Sequence, residues 1–277
     1  MKTVAAFLSL LVVSTASAAA DTEFAAYTSV APVASIMGKA GAGFWTAEPL
    51  VGKGKNPHAF SPTPQEAAAF SKAAVYLAVR IEIDEAVKAR APKSMKYVEV
   101  EVPQEDGEGI DDPHLWLDPE GMILIARASR NAFSSRDPAH VADYATACAE
   151  FEKNVGLAAE KAKKILAPYK NRKFYVQHDA FTRFAKAFDL VQISIEEHEK
   201  EPAAQRLVEV SKLMREDGAK VIYAQPGHNP RPLEAIADPL GAKIEILDAV
   251  PSDPVAALAL RAEILAKNFA EGESAGK

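Results

Sequence analysis

The sequence predicts an α/β fold in which two lobes of parallel sheet, each flanked by helices, are joined by one long rigid helix. Short apolar segments alternate with amphipathic segments of helical period, a pattern typical of parallel strands connected by helices. The alternation is interrupted once, mid-chain, by an amphipathic stretch of about 30 residues. A length of 277 residues accommodates two such units.

Four strands and two helices are predicted in the first half of the chain. The strands cover residues 24–30, 44–51, 74–79 and 97–102. The first helix covers residues 31–39, with Pro32 in its first turn, where a missing N–H is tolerated. The second begins after Thr63, because Pro64 at the first helical position and Glu66 three residues after Thr63 form a capping box.

The long helix is predicted from Asp137 to about Ala167, where Pro168 ends it. Its apolar positions recur every three or four residues and share one face: Val141, Tyr144, Cys148, Phe151, Val155, Ala158, Ala162 and Ile165. Some 30 helical residues span roughly 45 Å, enough to run along a whole molecule of this size. Cys148 lies on the apolar face and is assigned to the core; a single cysteine excludes an internal disulfide and a cysteine-rich zinc module.

Alternation then resumes with four more strands, each followed by a helix. The strands cover residues 173–177, 190–195, 220–224 and 243–247, and the helices 179–188, 203–216, 231–240 and 254–270. Gly218 stands where a glycine commonly ends a helix. The expected organisation is a signal peptide at 1–20, a first lobe at 21–136, a linking helix at 137–168 and a second lobe at 169–277.

The first 20 residues have the pattern of a secretory signal peptide. Lys2 gives a positive start, residues 4–13 are apolar, and small residues follow, with cleavage expected near Ala18 or Ala20. The apolar run is too short to span a bilayer, and no cysteine at the cleavage sites offers a lipid attachment point. The alternative is a buried N-terminal helix. We expect a soluble periplasmic protein without a lipid anchor.

The balance of charged residues makes one class of function, nucleic-acid binding, unfavourable. Lys and Arg total 32 against 38 Asp and Glu, for a net charge of −6. Such a balance argues against a nucleic-acid-binding protein, which needs a basic face. It is compatible with a cation ligand. We expect a monomer.

Four candidate metal ligands lie at or near the ends of predicted strands: His58, His114, His178 and Asp248. Ligands of open α/β sheets bind at the carboxyl ends of strands, and His178 and Asp248 directly follow two of them. His58 and His114 each follow a proline, which stiffens the loop that presents them. Three imidazoles and a carboxylate suit tetrahedral Zn²⁺, whereas Mn²⁺ usually takes more oxygen ligands and Cu⁺ more sulfur. Taken singly, each histidine could instead be a solvated loop residue or a hydrogen-bonded core group.

Four segments then give the chain a resemblance to the zinc-type solute-binding proteins of metal-ion ABC importers. These segments are NPHAFSPTP at 56–64, DPHLWLDP at 112–119, HDAF at 178–181 and LD at 247–248. The resemblance implies two α/β lobes bridged by a rigid helix, with metal in the cleft held by His58, His114, His178 and Asp248. Related manganese-type members commonly have Glu at the third position, so His178 favours zinc. It also implies a binding protein, not an enzyme, that delivers Zn²⁺ to a membrane ABC permease, with Mn²⁺ as the other candidate cargo.

The chain departs from the family pattern at three places. Arg80 lies where the family often has an Asn-Gly turn, and we expect it to alter the electrostatics of the cleft or to form a salt bridge. Gln225-Pro226 stands where the family often has Glu-Pro. The loop before His114 has no histidine but keeps acidic residues that can attract cations: Glu105, Asp106, Glu108, Asp111 and Asp112.

Three histidines remain outside the expected ligand set. His140 is expected on the surface at the start of the long helix, and His198 on a solvated face or at the cleft rim. His228, which follows Gln225-Pro226-Gly227, is the substitute ligand.

Two other functions remain open on the same residues. One is a zinc hydrolase with three histidine ligands, an open position and Glu196 or Glu199 as base, although no H-E-x-x-H, G-x-S-x-G or phosphate-binding glycine loop is present. The other is the same scaffold holding manganese, iron or a metal chelate.

Overall fold

The computed structural model describes residues 24–103, 112–196 and 201–274. The predicted signal peptide, most of the acidic loop before His114, and His198 lie outside the described residues. Among the helices that are described, none is both long enough and apolar enough to cross a membrane.

The first sheet has four parallel strands in the order β2–β1–β3–β4. The strands are β1 (Phe24–Thr28), β2 (Trp45–Pro49), β3 (Val75–Ala78) and β4 (Lys96–Glu99). The helices of this half are α1 (Ala31–Ala40), α2 (Pro64–Phe70), α3 (Glu82–Lys88) and α4 (Pro119–Arg136). The predicted capping box is confirmed: Glu66 N–H donates to the Thr63 hydroxyl, and the Glu66 carboxylate accepts from Thr63 N–H at 2.7 Å.

Helices α3 and α4 are absent from the sequence prediction. The start of α4 does carry a local indication, because Asp118 accepts the N–H of Gly121 as N-cap and Pro119 occupies the first helical position. In α3, the buried Asp84 carboxylate accepts the N–H groups of Val79 and Ile81 and the hydroxyl of Tyr76. These bonds fix the turn between β3 and α3.

The long helix α5 covers Val141–Leu166, and its 26 residues extend about 39 Å. Short 3-10 turns at Pro138–His140 and Ala167–Tyr169 continue it at both ends, so the predicted long helix is confirmed, and only its α-helical part is shorter than the predicted length of roughly 45 Å. The buried face is Tyr144, Cys148, Phe151, Val155, Ala162 and Leu166. Cys148 is confirmed in the core, whereas Val141, in the first turn, is 44% exposed.

The second sheet repeats the strand order of the first, as β6–β5–β7–β8, again all parallel. Its strands are β5 (Lys173–Val176), β6 (Val191–Ser194), β7 (Val221–Ala224) and β8 (Lys243–Ile246). Its helices are α6 (Thr182–Ala187), α7 (Ala204–Glu216), α8 (Arg231–Leu240) and α9 (Pro254–Ser274). Helix α6 begins three residues later than predicted, because the residues after β5 form a loop. Gly218 has a φ of 65°, as expected of a glycine that ends a helix.

One apolar core extends through both halves of the molecule. It joins the first sheet to α5 and α9, which pack along each other, and reaches one face of the second sheet through Phe174 and Val176. Two buried polar contacts also connect the halves: Trp116 Nε1 donates to Ala249 O at 2.6 Å, and Arg183 Nε donates to Asp118 Oδ1 at 2.8 Å. These contacts lie beside the loops that carry the candidate ligands and hold them in fixed relation.

Candidate metal centre

Three imidazoles converge where the carboxyl ends of the two sheets meet. His58 lies in the loop between β2 and α2, His114 immediately precedes a 3-10 turn, and His178 is two residues after β5. Nε2 of His114 is 3.2 Å from Nε2 of His58 and 3.3 Å from Nε2 of His178. The three ligand atoms lie within 4.8 Å of one another. Histidines separated by 56 and 64 positions in the sequence are thus brought to one point.

Carboxylates on the far side of two rings orient the converging nitrogens. Nδ1 of His58 is 2.8 Å from Glu82 Oε2, and Nδ1 of His114 is 2.6 Å from Asp112 Oδ1. A proton on each Nδ1 therefore faces a carboxylate, and Nε2 is left with the lone pair that binds metal. Two lone pairs 3.2 Å apart repel each other unless a cation lies between them. In a tetrahedral zinc site, Zn–N bonds of about 2.05 Å place two nitrogens about 3.3 Å apart.

The loops that carry His58 and His114 share one backbone arrangement. Asn56 Oδ1 accepts the N–H of His58 at 2.9 Å, and Asp112 Oδ1 accepts the N–H of His114 at 2.9 Å. Each ligand thus ends an Asx-Pro-His segment in which the first side chain closes a turn on the histidine backbone. The sequence contains this motif twice, at 56–58 and 112–114, and it could have identified the two presenting loops as equivalent.

His178 is held mainly through its backbone and is 2% exposed. Its N–H donates to Gln225 Oε1 at 2.6 Å, and its carbonyl accepts from Gln225 Nε2 at 3.1 Å. Its Nδ1 is 3.2 Å from Asp179 Oδ1 and 4.0 Å from Glu196 Oε2. Gln225, noted in the sequence only as a departure from the family pattern, is a neighbour that positions this ligand.

Asp248 lies on the wall of the same cavity but outside the three-histidine group. Its carboxylate accepts the N–H of Val250 at 2.8 Å and is exposed. Its carbonyl accepts two bonds from the buried guanidinium of Arg261, at 3.2 and 3.0 Å. Burial lowers the pKa of Arg261 to about 10, and the neighbouring Asp248 charge opposes that shift. Arg261 therefore fixes the Asp248 backbone and leaves its side chain in the cavity.

The cavity has a volume of about 510 Å³ and also contains His228. Nδ1 of His228 is 3.2 Å from Glu196 Oε2, and its ring stacks on that of His178 with centroids 5.0 Å apart. Glu196 also accepts from Gln177 Nε2 at 3.1 Å. It faces Nδ1 of His178, on the opposite side of the ring from Nε2, so it is poorly placed to act as the base of a hydrolase. Glu199 lies outside the described residues.

Two other expectations concern residues away from the cavity. Arg80 forms an ion pair with Glu99 at 3.5 Å, which is the predicted salt bridge. It is not among the residues that line the cavity. His140 is partly buried rather than fully on the surface, because its ring stacks on Phe44 at 3.8 Å. Its Nδ1 is 2.6 Å from Asp137 Oδ2.

Comparison with known proteins assigns the family. The family model described as zinc-uptake complex component A, periplasmic, matches residues 27–262. The chain belongs to this family. The resemblance inferred from the sequence is thereby confirmed.

Curated relatives match about half of the chain. ZnuA of Brucella abortus, a high-affinity zinc uptake system protein, is 26% identical over 145 residues, which cover 51% of this chain and 43% of that protein. The zinc-binding protein AdcA of Streptococcus pyogenes is 29% identical over 145 residues, covering 49% of this chain and 27% of that protein. The match therefore spans less than half the length of either relative.

Solved structures match almost the whole described fold. A crystal structure of ZnuA has a TM-score of 0.80 at 26% identity, covering 88% of this chain and 98% of that one. A zinc-bound deletion mutant of ZnuA has a TM-score of 0.81 at 27% identity, covering 88% and 97%. A manganese-bound periplasmic metal-binding protein mutant from Candidatus Liberibacter asiaticus, at 16% identity and a TM-score of 0.76 over 88% and 99%, shares the fold. The predicted fold class is confirmed.

Proposed function

We propose that this protein binds Zn²⁺ in the periplasm and delivers it to a membrane ABC permease for import. The observation that carries the proposal is the distance of His114 Nε2 from Nε2 of His58, 3.2 Å, and from Nε2 of His178, 3.3 Å. Both distances match the separation of two nitrogen ligands on a tetrahedral zinc ion. His58, His114 and His178 supply three ligands, and Asp248, on the wall of the same cavity, completes the shell. The protein acts as an exported monomer, cleaved near Ala18 or Ala20.

The donor set favours zinc over manganese. Neutral imidazole nitrogens in a tetrahedral arrangement suit Zn²⁺, while Mn²⁺ prefers more oxygen donors. Relatives named for zinc uptake or zinc binding, and the zinc-bound ZnuA structure, support the same cargo. The carboxylates on His58 and His114 strengthen zinc binding because they hold each ring in the binding tautomer.

Capture and release follow from where the ligands originate. His58 and His114 come from loops of the first sheet, and His178 and Asp248 from loops of the second. A bound ion therefore crosslinks the two halves and orders the loops of the second. The buried contacts between the halves limit large lobe separation, so release requires the permease to pull these loops apart.

The proposal is tested by native mass spectrometry of the mature, chelator-stripped protein titrated separately with Zn²⁺ and Mn²⁺. We expect one tightly bound zinc per chain and much weaker manganese. His178→Ala should weaken zinc binding by two orders of magnitude or more, while His140→Ala, also a carboxylate-paired histidine but outside the cavity, should leave it unchanged. Absence of stoichiometric zinc would contradict the proposal. Tight manganese binding without a preference for zinc would instead indicate manganese as the cargo.

A further inference from the structure

We propose that two glycine turns, one from each half of the molecule, form a contact that retains the metal in its cavity, and that Gly227 is the residue that lets the turns meet. The contact opens when zinc enters or leaves. Gly227, a positioning residue, thereby sets how long a bound ion is retained. The inference rests on the proposed function, because it concerns capture and release of the same cargo.

The two turns have the same local design. In the turn at 52–55, the first carbonyl accepts the last N–H at 3.2 Å, and Gly54 at the third position has a φ of 76°. In the turn at 225–228, the corresponding bond is 3.3 Å and Gly227 at the third position has a φ of 88°. A positive φ at the third position is typical of a type II turn and favours glycine. Pro226, at the second position of the later turn, presets the φ that this turn type needs there.

Gly227 lies directly against the backbone of the first turn. A Cβ atom added to it would lie 2.8 Å from Asn56 N and 3.0 Å from both Gly54 O and Lys55 C. All three are backbone atoms, so no side-chain rotation could relieve the overlap. The contact therefore requires glycine at 227 for two reasons, the positive φ and the close approach of the other half.

The contact adjoins the candidate metal centre. Gly54 and Pro226, one from each turn, line the cavity that contains the three-histidine group. Asn56, whose backbone N is the atom nearest to the added Cβ, accepts the N–H of His58 through its side chain at 2.9 Å. A shift of the backbone at Asn56 is therefore transmitted to a proposed ligand. Gly227 positions the loop that carries His58 against the second half.

Exposure distinguishes this contact from the two polar bonds that also join the halves. Those bonds are buried, whereas residues 52–55 and 226–227 are exposed. Separating the turns breaks van der Waals contact between backbone atoms and uncovers little apolar surface. Segments with few buried apolar contacts open at a lower free energy than the core does. The turns can thus part to pass an ion while the buried bonds hold the halves together.

The test measures the rates of zinc binding and release by the mature Gly227→Ala protein. Release is followed by stopped flow as zinc passes to an excess of a chromophoric chelator. Binding is followed by the fluorescence of Trp116, whose ring centroid is 5.3 Å from that of His114. We expect release to be at least about tenfold faster, because the added Cβ holds the turns apart. Binding should change by less than about threefold, because the turns are already apart when the ion arrives.

Three further variants separate the contact from backbone strain. Gly43→Ala acts at a φ of 83° with nothing within 4 Å of the added Cβ, so it introduces strain without overlap. Gly52→Ala lies in the first turn, where the added Cβ meets only the Lys55 side chain, at 3.6 Å. Both should keep the wild-type zinc rates. Gly227→Asn keeps the overlap with less strain, because asparagine tolerates a positive φ, and it should also release zinc faster.

The outcomes separate the inference from the proposed function. Wild-type zinc rates in both Gly227 variants would overturn the inference and leave the proposed function intact. Equally fast release from Gly43→Ala would also overturn it, because general destabilisation would then account for the effect. Slower binding with unchanged release would overturn it as well, since the contact would not retain the ion. A wild-type protein that binds no zinc would overturn both.

Discussion

The side-chain amide of Gln225 forms two hydrogen bonds with the backbone of His178, accepting its N–H at 2.6 Å and donating to its carbonyl at 3.1 Å. An ionised glutamate in its place could not do both, since a carboxylate has no proton to donate. Gln225 is 4% exposed and follows β7 directly, so the loop after β5 is fixed by a residue from the neighbouring strand. The presence of Gln where the family often has Glu thus allows both hydrogen bonds to the His178 backbone.

Replacing Gln225 by Glu should weaken zinc binding. The carboxylate cannot donate to the His178 carbonyl and is repelled by it, so the ligand loop shifts. We expect zinc affinity to fall about 10- to 100-fold, measured by competition with a chromophoric chelator. Gln192→Glu is the control, because Gln192 similarly accepts from Phe181 N–H and donates to the Thr182 hydroxyl but lies outside the cavity. Equal zinc affinities in the two variants would contradict the positioning role of Gln225.

The contact between Glu82 and His58 should contribute to zinc affinity although Glu82 touches no metal. Glu82→Gln removes the charge that stabilises the Nδ1 proton of His58, and we expect about 10-fold weaker zinc binding with little change in stability. Glu85→Gln alters an exposed carboxylate of the same helix and should have no effect on zinc. If both variants bind zinc like the wild type, the orienting role is wrong.

The buried pair Asp118–Arg183 should dominate the stability of the contact between the two halves. Both side chains are 7% exposed, and removal of Arg183 leaves Asp118 buried without its cation. Arg183→Met should lower the free energy of unfolding by about 3–5 kcal/mol, measured by urea denaturation at pH 7. Arg127→Met, which removes a half-exposed partner of Glu152, should lower it by less than about 1 kcal/mol.

The Arg183→Met variant should also become more sensitive to pH. Burial raises the pKa of Asp118, and Arg183 opposes that rise, so its removal raises the pKa further. A carboxyl group with a raised folded-state pKa stabilises the fold when protonated. Stability is therefore retained below the unfolded value, near pH 4, and is lost as pH rises toward the folded value. Urea midpoints should fall between pH 4.5 and 8 by more in the variant than in the wild type; parallel profiles would refute this.

Zinc should order the loops that carry His178 and Asp248. A bound ion joins these loops to His58 and His114, so backbone opening there requires breaking a metal bond. Hydrogen exchange with and without Zn²⁺ should show slower exchange around both residues. The N-terminal ends of β5 and β8, remote from the cavity, serve as internal references and should not change. Identical protection around the two ligands would contradict the crosslinking mechanism.

Much of the fold follows from local sequence. The alternation of short apolar and amphipathic segments predicts all eight strands found in the described part of the chain, because strand and helix periodicity are properties of neighbouring residues. The Thr63 capping box and Gly218 behave as predicted for the same reason. Helix α3 is only seven residues long, too short for a clear amphipathic period. In α5, the flanking prolines form 3-10 turns that the periodicity does not distinguish from the helix.

The candidate site likewise has features that depend on local sequence and features that depend on long-range packing. The candidate ligands can be read from local sequence, with His58 and His114 each after a proline and His178 after a strand, because these features depend on residues only a few positions apart. The long-range packing of the chain brings their Nε2 atoms together and places Glu82 and Gln225 against two of them, with His228 beside the group and Asp248 outside it. The physical reason is distance along the chain: these contacts join loops tens of residues apart, and their approach is set by how the two sheets, α5 and α9 pack in a shared core.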